Sequence, residues 1–220
     1  VLWDPAKLDI GVQNQLSPAF EEIGAYLYWE PLALFDLSVG VAARRTITVF
    51  DVGFYEVEGY DSSYDDLQDR AEDKGRSGFR FAVSPRLKGA YRGFVAINEF
   101  RLDIFDFGSN VKNAGRRYFY EPANDLVLSF RDVVLANTLT LLYSVTPELR
   151  LGGQYYLTHV PGGGQTKQRV AAVGVYGAEV RSGVTLYAAL LAGSYVQDRY
   201  YVGEPFLLGQ AGLQLQLTEE

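Results

Sequence analysis

Apolar and polar residues alternate with a period of two along most of this chain. Residues 7–16 put Leu8, Ile10 and Val12 on one parity and Lys7, Asp9, Gly11 and Gln13 on the other. In 22–30, Ile23, Ala25, Leu27 and Trp29 oppose Glu22, Gly24, Tyr26, Tyr28 and Glu30. Beyond Pro31, which has no N–H for a ladder, Phe35, Leu37, Val39, Val41 and Ala43 oppose Asp36, Ser38, Gly40, Ala42 and Arg44. Successive side chains of a strand point to opposite faces, so each stretch predicts a strand with one oily and one wet side.

The pattern resumes after an acidic stretch. Phe79, Phe81 and Val83 alternate with Arg80, Ala82 and Ser84, and residues 85–89 predict a tight reversal after which Tyr91, Gly93, Val95 and Ile97 face outward and Arg92 inward. Past Asn98 the parity slips to Phe100, Leu102 and Ile104 against Glu99, Arg101 and Asp103, which predicts a β-bulge. Residues 126–144 read as one long strand interrupted by Asn137; after a turn at Thr146-Pro147-Glu148, Leu149, Leu151, Gly153, Tyr155 and Leu157 oppose Arg150, Gly152, Gln154, Tyr156 and Thr158. A Gly/Ala/Val strand over 170–180 has no legible faces. Val184, Leu186, Ala188 and Leu190 then oppose Thr185, Tyr187, Ala189 and Leu191, and in the closing strand Ala211, Leu213, Leu215 and Leu217 oppose Gln210, Gly212, Gln214 and Gln216.

Connections sort by length. Short ones near 31–34, 85–89, 145–148 and 181–183 alternate with longer ones at 51–76, 106–124, 161–168 and 198–205; only the first, near 17–21, is short on the long side. Ten strands joined this way predict an all-β chain, a single antiparallel up-and-down barrel over 1–220 closed by pairing the last strand with the first. Within 51–76, the most acidic stretch, Ser63 is placed to cap a short helix reaching Lys74.

Composition narrows the classes. Plentiful glycine (23) and tyrosine (16) suit many short strands, and the lack of cysteine removes disulfide and thiolate chemistry. A net charge of −7 without a basic stripe argues against nucleic acid. No run reaches the ~18 apolar residues of a transmembrane helix, but a barrel strand crosses with only ~9–11 alternating residues. A mean hydropathy of −0.05 is what averaging an oily and a polar face gives. The absence of methionine fits a mature chain that has lost a signal peptide, or a trimmed one.

Alternation alone does not say which solvent the oily face meets. Here the polar parity interleaves charge with small residues, as in Glu22/Gly24, Asp36/Ser38/Gly40 and Arg80/Ala82/Ser84, which suits a crowded interior. The apolar parity often ends in a ring, at Trp29, Phe35, Phe79, Tyr91 and Tyr143, as membrane girdles do. Gln210, Gly212, Leu215 and Leu217 also have the spacing of a C-terminal insertion signal, and in this the chain resembles the outer-membrane β-barrel proteins of bacteria, although Leu217 stands where an aromatic residue is usual. The resemblance implies a transmembrane barrel in the Gram-negative outer membrane with short periplasmic turns and long external loops. It also implies lipid and lipopolysaccharide as surroundings, insertion by the barrel-assembly machinery, and loops available to a protein partner.

The inward set is Asp9, Glu22, Glu30, Asp36, Arg44, Arg80, Arg86, Arg92, Glu99, Arg101, Asp103 and Arg150. These residues predict either a narrow porin-like channel for small solutes or ions, lined by charge, or a closed interior of ion pairs. His159, the only histidine, has neither a following serine nor an adjacent aspartate, with Asp132 and Asp198 the acids that space would have to bring to it. Catalysis is therefore not expected, nor are a metal or cofactor: the acidic loop lacks the ligand register of a calcium loop, and Pro161–Gly164 reads as a flexible tip. Arg116-Arg117 with Tyr118-Phe119-Tyr120 is a candidate contact for lipopolysaccharide phosphates.

Overall fold

The structure, a computed structural model, describes residues 6–17, 20–46, 55–57, 59–62, 77–108, 118–121, 126–181 and 183–215. They form thirteen strands and no helix. Ten make one sheet: β1 (Lys7–Leu16), β2 (Phe20–Leu32), β3 (Phe35–Thr46), β5 (Ser77–Tyr91), β6 (Phe94–Asp106), β9 (Arg131–Ser144), β10 (Leu149–Val160), β11 (Gln165–Arg181), β12 (Val184–Gln197) and β13 (Pro205–Leu215). Strands adjacent in that list are neighbours in the sheet, and the assigned pairings are antiparallel. The other three, β4 (Tyr55–Val57), β7 (Tyr118–Glu121) and β8 (Leu126–Ser129), form a small sheet in the order β4-β7-β8.

The chain is therefore all-β with a large antiparallel sheet, as the alternation predicts. β1 and β13 stand at the two ends of the strand order, and the expected ladder between them is not among the pairings of the described residues. Two compact units are distinguished: Val1–Arg86 with Phe100–Ala136 and Thr158–Gln165, and Leu87–Glu99 with Asn137–Leu157 and Thr166–Glu220.

Several boundaries differ from the sequence reading. β5 runs straight through Pro85, and the reversal falls at Arg92-Gly93, whose φ values of 47° and 84° are the left-handed pair that a two-residue hairpin turn needs. Arg92 is thus an exposed turn residue over the Tyr91 ring, 5.2 Å from its centroid, and not an inward strand position. With the turn there, Phe94, Ala96, Phe100 and Ile104 are exposed on one parity that runs through Asn98, so no slip of faces is needed there, and Val95 and Ile97, expected outward, fall on the parity of Arg101 and Asp103. Asn98 and Asn137 occupy that parity on neighbouring strands and exchange amide hydrogen bonds of 3.2 and 3.3 Å, which explains the interruption at Asn137.

The long strand expected over 126–144 breaks at Phe130 into β8 and β9. The expected loop over 161–168 contracts to the four-residue turn 161–164. In β11 the faces become clear, with Val170, Tyr176 and Val180 exposed and Lys167 and Val173 buried. The helix expected over 63–74 lies outside the described residues.

Both terminal hairpins carry the same contact. Gly11 is paired with Tyr26, and a Cβ on Gly11 would sit 2.6–2.8 Å from the Tyr26 ring and hydroxyl; Gly212 is paired with Tyr187 and the same ring crosses it. A ring laid over a neighbouring glycine fixes the cross-strand register and covers the backbone.

In the first unit the apolar core does not lie under the large sheet's oily parity. Phe105, Phe107, Phe119, Leu126, Leu128, Phe130, Val134 and Val160 form it, built largely from β7, β8 and the adjoining ends of β6, β9 and β10. Meanwhile Ile10, Val12, Ile23, Val41 and Phe79 on the large sheet are exposed, Ile10 to 75%.

Candidate functional site

The site grows out of strand register. Glu22 lies directly opposite Arg44 in the β2–β3 ladder, both on the polar parity, and Arg44 Nη1 donates to Glu22 Oε2 at 3.2 Å. From β5, Arg80 Nη1 donates to the other oxygen of Glu22 at 2.9 Å, while its Nε and Nη2 donate to Asp103 Oδ1 on β6 at 2.9 and 2.8 Å. Arg101 pairs with Asp103 Oδ2 through Nε at 2.8 Å. Five of the sequence-predicted inward residues therefore converge.

The sixth member was not predicted. Glu121, on β7 of the small sheet, accepts a hydrogen bond from Arg44 Nη2. Its neighbour Phe119 is wholly buried in the apolar core, which holds the strand that presents the carboxylate. Three carboxylates face three guanidiniums, and Glu22, Asp103, Glu121 and Arg44 are each 3% exposed or less. An unpaired charge at such depth would cost several kcal/mol, so this alternation of sign is the condition for burying any of them. Phe20 lies under the Arg44 guanidinium, 4.0 Å from it, and completes the packing.

Farther along the same face, Asp36 takes Arg86 in a forked pair at 3.0–3.1 Å, and Tyr28 Oη donates to Glu30 at 2.7 Å. Between these pairs and the network, Ser38, Gly40, Ala82 and Ser84 leave a hollow of about 340 Å³. Asp9, exposed on β1, stands on its wall with Gln13, Tyr26, Arg80 and Arg101. The small residues expected to let long side chains interdigitate thus leave open space here. Glu99 is half-buried on the parity of Arg101 and Asp103, and its carbonyl accepts from Asn137 at 3.3 Å. Arg150 is exposed beside the 145–148 turn and is not a member of the network.

The small sheet is anchored at two further points. Gln165 grips Val127 on β8 through both backbone groups, donating to its carbonyl at 2.8 Å and accepting from its N–H at 3.2 Å. Tyr60 donates to Asp132 Oδ2 at 2.7 Å, and burial, reinforced by that bond, pushes its phenol up to about 12. The Tyr60 ring lies against Gly162 and Gly163, where a Cβ on Gly163 would come 2.6 Å from Cγ. The glycines at the tip that reads as flexible are a seat for this ring.

Comparison with protein-family models, with characterised proteins and with solved structures finds no match for this chain. The site therefore has to be read from its own chemistry.

The acids that space would have to bring to His159 are committed elsewhere. Asp132 accepts from Tyr60 and from the backbone of Ser129 and Val133, and Asp198 pairs with the buried Lys167 at 3.3 Å while capping the backbone of Tyr200 and Tyr201. Among the described residues no group of three or more histidine and carboxylate side chains is arranged to hold a metal ion. What the site does chemically is hold charge in a buried chain of alternating sign.

Proposed function

We propose that this chain is an integral barrel of the bacterial outer membrane whose interior is held shut. On this reading it serves as a structural or interaction element, with its loop side turned to lipopolysaccharide or to a partner protein. The observation that carries the reading is the Arg44–Glu121 pair, which ties the loop-borne small sheet into the charge network of β2, β3, β5 and β6 at nearly complete burial. Three features support the membrane setting. Large apolar side chains are exposed along the strands, charged ones are buried on the opposite parity, and short and long connections alternate. The barrel closes by pairing β1 with β13, and insertion falls to the barrel-assembly machinery.

A narrow channel is the second reading, favoured by the hollow beside the network. Planar-bilayer recording separates the two. The purified wild-type protein gives no steady unitary conductance if the network seals the interior; steady ohmic steps from the wild type overturn the closed reading in favour of the channel. A chain that stays monodisperse in plain buffer overturns the membrane setting itself.

A further inference from the structure

The hollow in the first unit has the size and the mixed lining of a small-molecule site. Its volume of about 340 Å³ lies at the lower end of the ~300–1,000 Å³ of small-molecule sites, room for one or two rings. Its guanidiniums are already paired: Arg80 is held by Glu22 and Asp103, and Arg101 by Asp103. An anionic ligand would have to break these pairs, which is costly in a buried network, and a cation would find its counter-charge in Asp9, at an exposed position where a pair is worth little. Hydrogen-bonding capacity toward the hollow nonetheless remains, since the five-donor guanidinium of Arg80 is on a side chain that is 18% exposed, and Asp9 and Gln13 are exposed on β1.

One wall is aromatic. Tyr26 lies across Gly11 with one side against the backbone, and it lines the hollow. The negative face of such a ring attracts the polarised C–H groups of a saturated ring. An aromatic wall together with acceptors (Asp9, Gln13) and donors (Arg80, Gln13) in one lining fits a molecule with a C–H face and a rim of hydroxyls. We propose that this hollow binds a neutral mono- or disaccharide. The proposal goes beyond the closed-barrel reading and does not depend on whether the interior conducts.

The decisive variant is Gly40→Leu. A Cβ at Gly40 meets nothing nearer than 3.7 Å, so a larger side chain fills the hollow without colliding with the sheet. Asp9→Asn, at an exposed position of β1, removes one acceptor charge without touching the buried network. Isothermal titration of the full chain, in a detergent without a sugar headgroup, would use glucose and maltose as probes, with glucose 6-phosphate and lysine as charged counterparts. Saturable binding of a neutral sugar is expected, weakened by at least about tenfold in Gly40→Leu and by about threefold or more in Asp9→Asn. Gly177→Leu, a site with equally open space on β11, should leave binding unchanged. No saturable binding by the folded wild type, equal binding by a folded Gly40→Leu variant, or preference for the charged probes would each overturn the proposal. If Gly40→Leu fails to fold, undiminished binding by Asp9→Asn overturns it.

Discussion

Two regions of the first unit solve burial in opposite ways. Around the small sheet, Phe105, Phe119, Leu128 and Val160 are wholly buried or nearly so, and the arrangement is that of any water-soluble core. Along β1, β2 and β3 the inward-packed residues are Glu22, Asp36 and Arg44, while Ile10, Ile23 and Val41 are left outside. The same chain thus uses the hydrophobic effect within itself in one place and leaves it to the surroundings in another. The two regions meet at Arg44, whose guanidinium touches Phe20, Glu22 and Glu121 and so belongs to both.

Breaking that junction should have the largest effect. Arg44→Met leaves Glu22 and Glu121 buried without the cation between them and should cost about 3–5 kcal/mol, read as a lowered denaturation midpoint in detergent. A change within about 0.5 kcal/mol would mean that Glu22 and Glu121 are solvated and the network is not buried.

The contrast between the regions is sharpened by a matched pair of truncations. Phe119→Ala should cost about 3–5 kcal/mol and unprotect the amides of the small sheet in hydrogen exchange, while Ile10→Ala should change stability by no more than about 0.5 kcal/mol. Equal costs would show that protein covers the oily parity of β1.

A smaller effect is expected at Tyr60. Its folded pKa of about 12 lies above the ordinary 10.0, so the neutral phenol is favoured by the fold. The stabilisation it contributes is fully present below pH 10 and is lost as pH rises through about 12. The difference in phenolate absorbance between the wild type and Tyr60→Phe should therefore be flat through pH 10 and develop near 12. A difference developing at pH 10 would mean that the Tyr60–Asp132 contact does not form.

Much of the large sheet was legible because parity is a strong local signal. Ten strands, the oily and wet faces of most of them, and five of the six members of the charge network follow from alternation alone; the faces of β11 do not, and Val95 and Ile97 fall on the opposite parity from the one expected. What failed was positional. The reversal expected at 85–89 falls instead at Arg92-Gly93, because Pro85 reads as a break although Phe79, Phe81, Val83, Leu87 and Tyr91 keep one parity straight through it. Glu121 was missed because β7 is four residues long and its place is set by Phe119 packing against residues distant in sequence, which no period of two encodes. The hollow was illegible for a related reason: small residues signal equally well that neighbours fill the space or that nothing does.

The tyrosines across Gly11 and Gly212 bear on how the chain avoids error while it folds. A strand at the end of a ladder has one neighbour in place of two, so nothing on its free side resists sliding, and a slip by one residue would turn every side chain to the wrong face. In the first and last hairpins a slip of β1 or β13 would also unseat the ring and oppose it to a residue bearing a Cβ. The two strands most exposed to misalignment thus each carry a proofreading mark, set by hairpin contacts alone and able to act before any other strand has arrived.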